Sequence, residues 1–102
     1  MRFTCEKNML VTGLNIAGRT VAQKSSLSVI EGILCKAEVG LSLTGYNMET
    51  AITYDIEAEV SDPGECILPA RLFGDIIRRL PEGPVTVVVG EDYKVSIRAG
   101  YA

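Results

Sequence analysis

The chain has 102 residues, of which 47% are hydrophobic and 23% charged, with a formal net charge of −3 and no histidine. This is the composition of one ordinary globular domain, which argues against disorder. No apolar run approaches the ~20 residues that span a bilayer, and the first residues lack the uninterrupted apolar region of a signal peptide, so we expect a cytoplasmic protein.

The first elements are a strand and a helix. Residues 1–6 alternate in the way of a short strand, and from Lys7 the apolar side chains recur at helical spacing as far as Gly18, which favours a helix end. The helical apolar stripe consists of Leu10, Leu14 and Ala17. Residues 19–28 are polar and serine-rich, which predicts a loop.

Three strand-like runs follow and predict an antiparallel meander at residues 29–37, 41–46 and 49–60. In the last run, acidic or polar residues alternate with apolar ones, as a half-buried antiparallel strand requires. We therefore predict one continuous strand at residues 49–60.

The second half repeats this plan. Its predicted elements are a turn at residues 61–64, a strand at 65–68, a helix at 70–80 that begins after Pro69, and a hairpin of strands 85–89 and 93–97. The two halves together predict an α+β fold with an internal duplication. Because the second half has one strand fewer after its helix, we expect residues 1–102 to be an incomplete domain that lacks its last strand.

The charges are sorted between these elements. Residues 7–30 contain three cations and no acid, and residues 70–80 contain three cations and one acid, so the two segments together carry +5. The remaining residues, with four cations and twelve acids, carry −8. Basic helical segments beside acidic strands predict a polyanion bound on one defined face.

On the second helix, one side carries the charged residues Arg71, Asp75, Arg78 and Arg79, and Phe73 lies on the opposite side. One interpretation is a solvated face on which Asp75 pairs with Arg71 or Arg79 at a spacing of four residues. The other is a surface that contacts phosphates without reading bases. Both interpretations fit the residues alone.

The first basic segment supplies three further candidate contacts, Lys7, Arg19 and Lys24. This segment contains no acidic residue. That favours a surface that faces an anion, because a helix face that is only solvated usually carries both positive and negative charges. An alternative role for Lys7 and Arg19 is to cap or flank their helix, and Lys24 lies in the predicted loop.

Enzymatic and metal-binding functions have little support. The acids Glu57, Glu59 and Asp62 could form a carboxylate cluster, but alternate strand residues that face solvent explain them more simply. Nucleotide-binding glycine motifs and a nucleophile elbow are missing from the sequence. The three cysteines, Cys5, Cys35 and Cys66, are odd in number and widely spaced, which favours reduced core thiols over disulfides or a metal site. We expect no catalysis, no metal and no cofactor.

Several segments resemble the N-terminal domain of the bacterial sliding clamp, the β subunit of DNA polymerase III. Residues 67–73 (Ile-Leu-Pro-Ala-Arg-Leu-Phe) and 75–81 (Asp-Ile-Ile-Arg-Arg-Leu-Pro) are similar to that family's second helix almost position for position. The opening residues 1–4, the strand and turn at residues 41–45, and residues 95–100 are similar to its other elements. The order and spacing of the segments extend the resemblance over the whole chain.

The resemblance implies a clamp fold, in which three such domains form a subunit and two subunits form a ring around duplex DNA. It implies sequence-independent DNA contacts at Lys24, Arg71 and Arg78. The ring tethers the replicative polymerase, and polymerase and clamp loader bind domains that this chain does not contain. On this basis the fragment alone is expected to be monomeric and to hold DNA weakly. A departure from the family pattern at residues 27–30, where a proline is lost, leaves the loop path open.

A different class of function remains as the alternative, namely a stand-alone α+β domain for protein interaction or ligand binding with solvated basic helices. An open reading frame that continues for two more domains of the same pattern would favour the clamp, and a stop codon directly after Ala102 would favour the alternative.

Overall fold

The computed structural model describes residues 1–20, 32–47 and 49–100, and in this part of the chain two antiparallel sheets and two helices enclose one core. The elements in chain order are β1 (Arg2–Glu6), α1 (Lys7–Ala17), β2 (Gly32–Ala37), β3 (Leu41–Tyr46), β4 (Ala51–Ile56), β5 (Glu59–Asp62), β6 (Gly64–Pro69), α2 (Ala70–Arg78), β7 (Pro84–Val89) and β8 (Val95–Ala99). One turn of 3₁₀ helix, Gly18–Thr20, follows α1. The predicted α+β fold is confirmed.

The two sheets exchange strands between the halves of the chain. Sheet A has the order β5-β1-β7-β8 and sheet B the order β4-β3-β2-β6. The strand before each helix therefore pairs with the strand after the other helix. The registers also correspond, because Glu6 lies opposite Pro84 at the start of β7 and Pro69 lies opposite Gly32 at the start of β2. The internal duplication predicted from periodicity is thus visible in the topology.

The core lies where inward-facing side chains of both sheets meet the two helices. Its largest fully buried members are Phe3, Leu10, Ile33, Cys35, Leu41, Leu43, Ile77, Val85 and Val87. Burial of each such aliphatic or aromatic side chain contributes about 1.5–3 kcal/mol. This shared core holds the two helices in place relative to both sheets.

Helix α1 approaches sheet B closely because it carries Gly13 on its buried side. A Cβ atom at this position would lie 2.7 Å from Ile56 Cδ1 and 2.9 Å from Leu43 Cδ1. The first turn of α1 is fixed by the Lys7 backbone N–H, which donates to the Gly83 carbonyl oxygen at 2.9 Å. The position of the helix is therefore set by a close contact and by a bond to the connection that follows α2.

The prediction of one strand at residues 49–60 is wrong. The chain leaves sheet B after Ile56, and β5 pairs with β1 in sheet A. The acids at 55, 57 and 59 are still exposed and the intervening apolar residues are at least half-buried. Two residues, Glu57 and Ala58, separate the strands, so the alternation keeps its phase and the sequence pattern does not reveal the change of sheet.

The predicted turn at residues 61–64 is also shorter than expected. Serine and aspartate at 61 and 62 end β5, Gly64 begins β6, and only Pro63 separates the two strands. Proline has no N–H to donate to a ladder, so the chain passes from sheet A to sheet B at this residue.

The remaining boundaries differ by a few residues. Helix α2 ends at Arg78, two residues before the predicted end, and β8 begins at Val95 instead of residue 93. Tyr93 lies in the loop with a φ of 61°, which is incompatible with a strand. Residues 29–31 of the predicted strand at 29–37 lie outside the described residues, as does the segment at residues 27–30.

Candidate nucleic-acid interface

Helices α1 and α2 contact each other, and their exposed sides form one continuous surface, here called the helical face. The contact is made directly by side chains, since Arg78 Nη2 donates to Asn15 Oδ1 at 2.7 Å. Any ligand that binds this surface therefore touches residues from both halves of the chain.

Arg78 is held in a fixed position between the helices. Its Nη1 donates to Asp75 Oδ1 at 3.2 Å, in addition to the bond from Nη2 to Asn15. Gly74 leaves room for the guanidinium, because a Cβ atom there would lie 3.1 Å from Nη1. The side chain of Arg78 is still 46% exposed, and its remaining N–H donors can reach an anion above the helical face.

Arg71 and Arg79 are exposed, and neither side chain pairs with another residue in the described part of the chain. The predicted pairing of Asp75 with one of them is wrong, since Asp75 binds Arg78 three residues away. Within the residues that the structure describes, the positive charges of Arg71 and Arg79 are therefore not paired with a carboxylate.

Arg71 also lies in the first turn of α2, which has no acidic residue. The positive end of the helix dipole disfavours a cation at this position by a few tenths of a kcal/mol to about 1 kcal/mol. A bound phosphate would offset both this dipole and the arginine charge.

The exposed side of α1 is uncharged and, apart from Met9, polar. Asn8, Thr12 and Asn15 recur there at a spacing of four and three residues, and Thr12 Oγ1 donates to the Asn8 carbonyl oxygen at 2.9 Å. Asn15 carries no charge, and for that reason it was not among the contacts predicted from the sequence. The polar residues at helical spacing on the side opposite Leu10 and Leu14 were the available signal.

The three cations predicted in the first basic segment are not on α2. Arg19 is exposed in the 3₁₀ turn, four residues after Asn15, and so follows the polar side of α1. Lys7 is half-buried at the start of α1, to one side of that stripe. Lys24 lies outside the described residues.

The acids of the neighbouring strands do not assemble into a reactive site. Glu57, Glu59 and Asp62 are all exposed, and Asp62 Oδ2 accepts from the Met1 amino group at 3.3 Å. The described residues contain no group of three or more His, Cys, Asp or Glu side chains that could hold a metal ion. Neither described helix has the length and hydrophobicity needed to cross a membrane.

Comparison with known proteins gives a consistent result over the whole chain. The family model described as the N-terminal domain of the DNA polymerase III beta subunit matches residues 1–102. The beta sliding clamp of Micrococcus luteus is 35% identical over 88 residues, which is 85% of this chain and 28% of that protein. The beta sliding clamp of Bacillus subtilis is 30% identical over 111 residues, which is 100% of this chain and 29% of that protein.

Solved structures agree with these relatives. A DNA polymerase III beta subunit structure from Eubacterium rectale superposes with a TM-score of 0.95 at 29% identity and covers 100% of this chain. The Bacillus subtilis sliding clamp superposes with a TM-score of 0.92 at 28% identity, also over 100% of this chain. The chain spans 28% and 29% of the lengths of these two chains.

Proposed function

The chain belongs to the family of the DNA polymerase III beta subunit N-terminal domain, and we propose that it is one domain of a ring-shaped clamp that encircles duplex DNA. In this proposal residues 1–102 form part of the N-terminal domain, and the ring consists of two identical subunits. The clamp keeps the replicative polymerase on its template and catalyses no reaction itself. It works in the cytoplasm, where the chromosome of a bacterium is replicated.

The observation that carries this proposal is the helical face. Two side-by-side helices present cations on α2 and uncharged polar groups on α1, and the acids of the chain lie mainly on strands and loops. Such a surface attracts phosphates through charge and has few groups arranged to read bases. Contacts of this kind allow the protein to move along the duplex.

The proposed DNA contacts are Arg71, Arg78 and Arg79 on α2, with Lys24, and with Lys7 and Arg19 as secondary contacts. Arg71 and Arg79 can approach phosphates freely, whereas Arg78 contacts them from its fixed position between Asn15 and Asp75. Polymerase and clamp loader bind the parts of the protein beyond this domain.

Retention on circular DNA tests the ring. The full-length gene product is loaded by its clamp loader onto nicked circular duplex DNA and the complex is isolated by gel filtration. A ring is expected to stay on the circle at high salt and to leave once the DNA is cut to a linear form. Equal retention on circular and linear DNA would contradict a topological link.

The contacts are tested separately on the same protein. We expect Arg71→Ala and Arg79→Ala each to weaken DNA binding and to reduce the slope of log K against log[salt] by about 0.9 for each lost phosphate contact. Arg2→Ala removes the same charge from an exposed position on β1 and is expected to leave the slope unchanged. If Arg2→Ala has the same effect as Arg71→Ala, the helical face is not the binding surface.

The alternative of a stand-alone interaction domain receives less support. The family match over all 102 residues and the superpositions that cover the whole chain favour the clamp proposal instead. Tight, ring-independent binding of DNA by residues 1–102 alone at low salt would argue against the clamp proposal.

A further inference from the structure

Two of the three cysteines lie directly opposite each other in sheet B. Cys35 on β2 and Cys66 on β6 are register partners in an unbroken ladder of six antiparallel pairs. Directly opposite residues of antiparallel strands point to the same face of the sheet. Both side chains therefore project from the inner face, where Cys35 is 0% exposed and Cys66 is half-buried.

The distance between opposite backbone positions suits a covalent link. In antiparallel pairs the Cα atoms of opposite residues are about 4.5–5.5 Å apart, which lies within the range of roughly 4.4–6.8 Å found for disulfides. The Cβ atoms of opposite residues are about 4.5–5.5 Å apart, slightly farther than the ~3.8 Å typical of a disulfide. Because β6 is the edge strand of sheet B, β2 is its only neighbouring strand among the described residues, and β6 can move the short distance required.

We propose that Cys35 and Cys66 form a redox-active dithiol, which a peroxide oxidises to a disulfide between β2 and β6. In the first step the sulfur of Cys66 attacks one oxygen of hydrogen peroxide, the O–O bond breaks, water leaves, and Cys66 becomes a sulfenic acid. In the second step the sulfur of Cys35 attacks the sulfur of Cys66, the S–O bond breaks and a second water leaves. The two thiols lose two electrons and two protons, and the peroxide is reduced to two waters.

Cys66 reacts first because Cys35 has no surface in contact with solvent. Burial raises the pKa of the Cys66 thiol, so the reactive thiolate is scarce at neutral pH and oxidation accelerates as the pH rises. Burial also raises the pKa of Cys35, and charge on Cys66 and then on Cys5 raises it further. The dithiol thus responds to sustained oxidant and not to brief exposure.

Cys5 provides an internal comparison. It is buried on β1 in sheet A, and its partner across the ladder to β7 is Val85. A link from Cys5 to Cys35 would have to cross the core from one sheet to the other. The proposed bond instead joins neighbouring strands and needs only a local shift.

The link would act on the helical face through β6. This strand ends at Pro69 and α2 begins at Ala70, with no residue between them. Fastening β6 to β2 therefore restrains the start of α2. The chemistry of the pair does not depend on the proposed function, and the dithiol would exist in a protein of any function.

The test uses the full-length protein, with and without hydrogen peroxide, followed by acid quenching, denaturation with an alkylating reagent, and proteolysis without reductant. The expected result is a peptide pair joined through Cys35 and Cys66, lighter by two hydrogen atoms than the separate peptides and split by reductant. Cys5→Ala should give the same linked pair, whereas Cys66→Ala should leave Cys35 fully alkylated after denaturation.

Three outcomes would overturn the proposal. The first is that all three thiols are alkylated after peroxide treatment. The second is over-oxidation of Cys66 to the sulfinic acid while Cys35 remains a thiol. The third is a link between Cys5 and Cys35. Near-native circular dichroism of Cys66→Ala, whose side chain is half-buried, would show that the loss of the link does not come from misfolding.

Discussion

Asp75 is the one acid on the exposed side of α2, and its position decides how strongly the helical face attracts an anion. It binds Arg78 at 3.2 Å and leaves Arg71 and Arg79 without partners in the described part of the chain. An exposed pair three residues apart contributes only a few tenths of a kcal/mol to stability. Its main consequence is electrostatic, since the carboxylate repels the phosphates that the neighbouring arginines attract.

We predict that Asp75→Asn strengthens the binding of duplex DNA by the full-length protein by about 0.5–1 kcal/mol at low salt, because one repulsive charge is removed at close range. The difference should shrink at high salt, where exposed charges are screened. Binding isotherms at several salt concentrations measure it. Glu59→Gln, which changes the net charge equally on sheet A, serves as the control and should have little effect.

The Cys5 thiol makes stability depend on alkaline pH. Burial, and to a lesser extent the charge of Glu6, raises its pKa from 9.0 to about 12. The folded state therefore favours the protonated thiol, and this stabilisation is complete below pH 9 and is lost as the pH rises toward 12. We predict that the free energy of unfolding falls in this window by about 1.4 kcal/mol per pH unit for this thiol.

Urea unfolding at a series of pH values measures this loss. Cys5→Ala is expected to be less stable near neutral pH but to show a shallower decline above pH 9, because the group that ionises is gone. An identical slope in the variant and the parent would show that Cys5 does not contribute.

At the scale of elements, the β7–β8 hairpin stores backbone strain. Tyr93 has a φ of 61° and is 81% exposed, and its N–H donates to the Gly90 carbonyl oxygen at 3.0 Å. Hairpin loops of this kind place a left-handed residue before the returning strand, and glycine is the usual occupant. An L-residue other than glycine costs about 1–2 kcal/mol there.

We predict that Tyr93→Gly raises the free energy of unfolding by about 1 kcal/mol, because the strain is relieved and the exposed ring loses little packing. Chemical denaturation measures this change as a shift of the unfolding midpoint to higher denaturant concentration. Glu91→Gly in the same loop, where the backbone has negative φ, should instead lower stability. If both substitutions shift the midpoint in the same direction, strain at Tyr93 is not the cause.

The elements differ in how far the sequence determines them. Apolar spacing predicted both helices, because a stripe such as Leu10, Leu14 and Ala17 has one periodicity and one buried side. The division between β4 and β5 could not be predicted, since alternation records which side is buried and not which sheet a strand joins. The hydrogen bond between Arg78 and Asn15 could not be predicted either. The two residues are 63 positions apart in the chain, and the bond depends on how their helices pack side by side.

At the scale of the whole molecule, the exchange of strands makes the two halves interdependent. The first half supplies β1 and β5 to sheet A, where β1 pairs with β7, and the second half supplies β6 to sheet B, where it pairs with β2. Contacts between residues so far apart in sequence form late and slowly during folding. The chain is therefore expected to fold as one cooperative unit, although its sequence pattern repeats.

We predict that residues 1–62 and residues 63–102, produced separately, show no cooperative thermal transition, since each would leave strands unpaired and apolar surface exposed. Circular dichroism of each piece and of an equimolar mixture tests this, and the mixture should regain native-like signal. A sharp melting transition in either piece alone would mean that the halves are independent.

The two junctions between strand and helix have a mechanical consequence. Glu6 is followed directly by the first residue of α1, and Pro69 directly by the first residue of α2. Neither junction contains a residue that could serve as a hinge, so bending β1 or β6 rotates the attached helix with it. The connections between strands, such as residues 38–40 and 90–94, contain several residues and leave the backbone more freedom to bend. A force applied to β6, at the edge of sheet B, is therefore transmitted through α2 to the helical face.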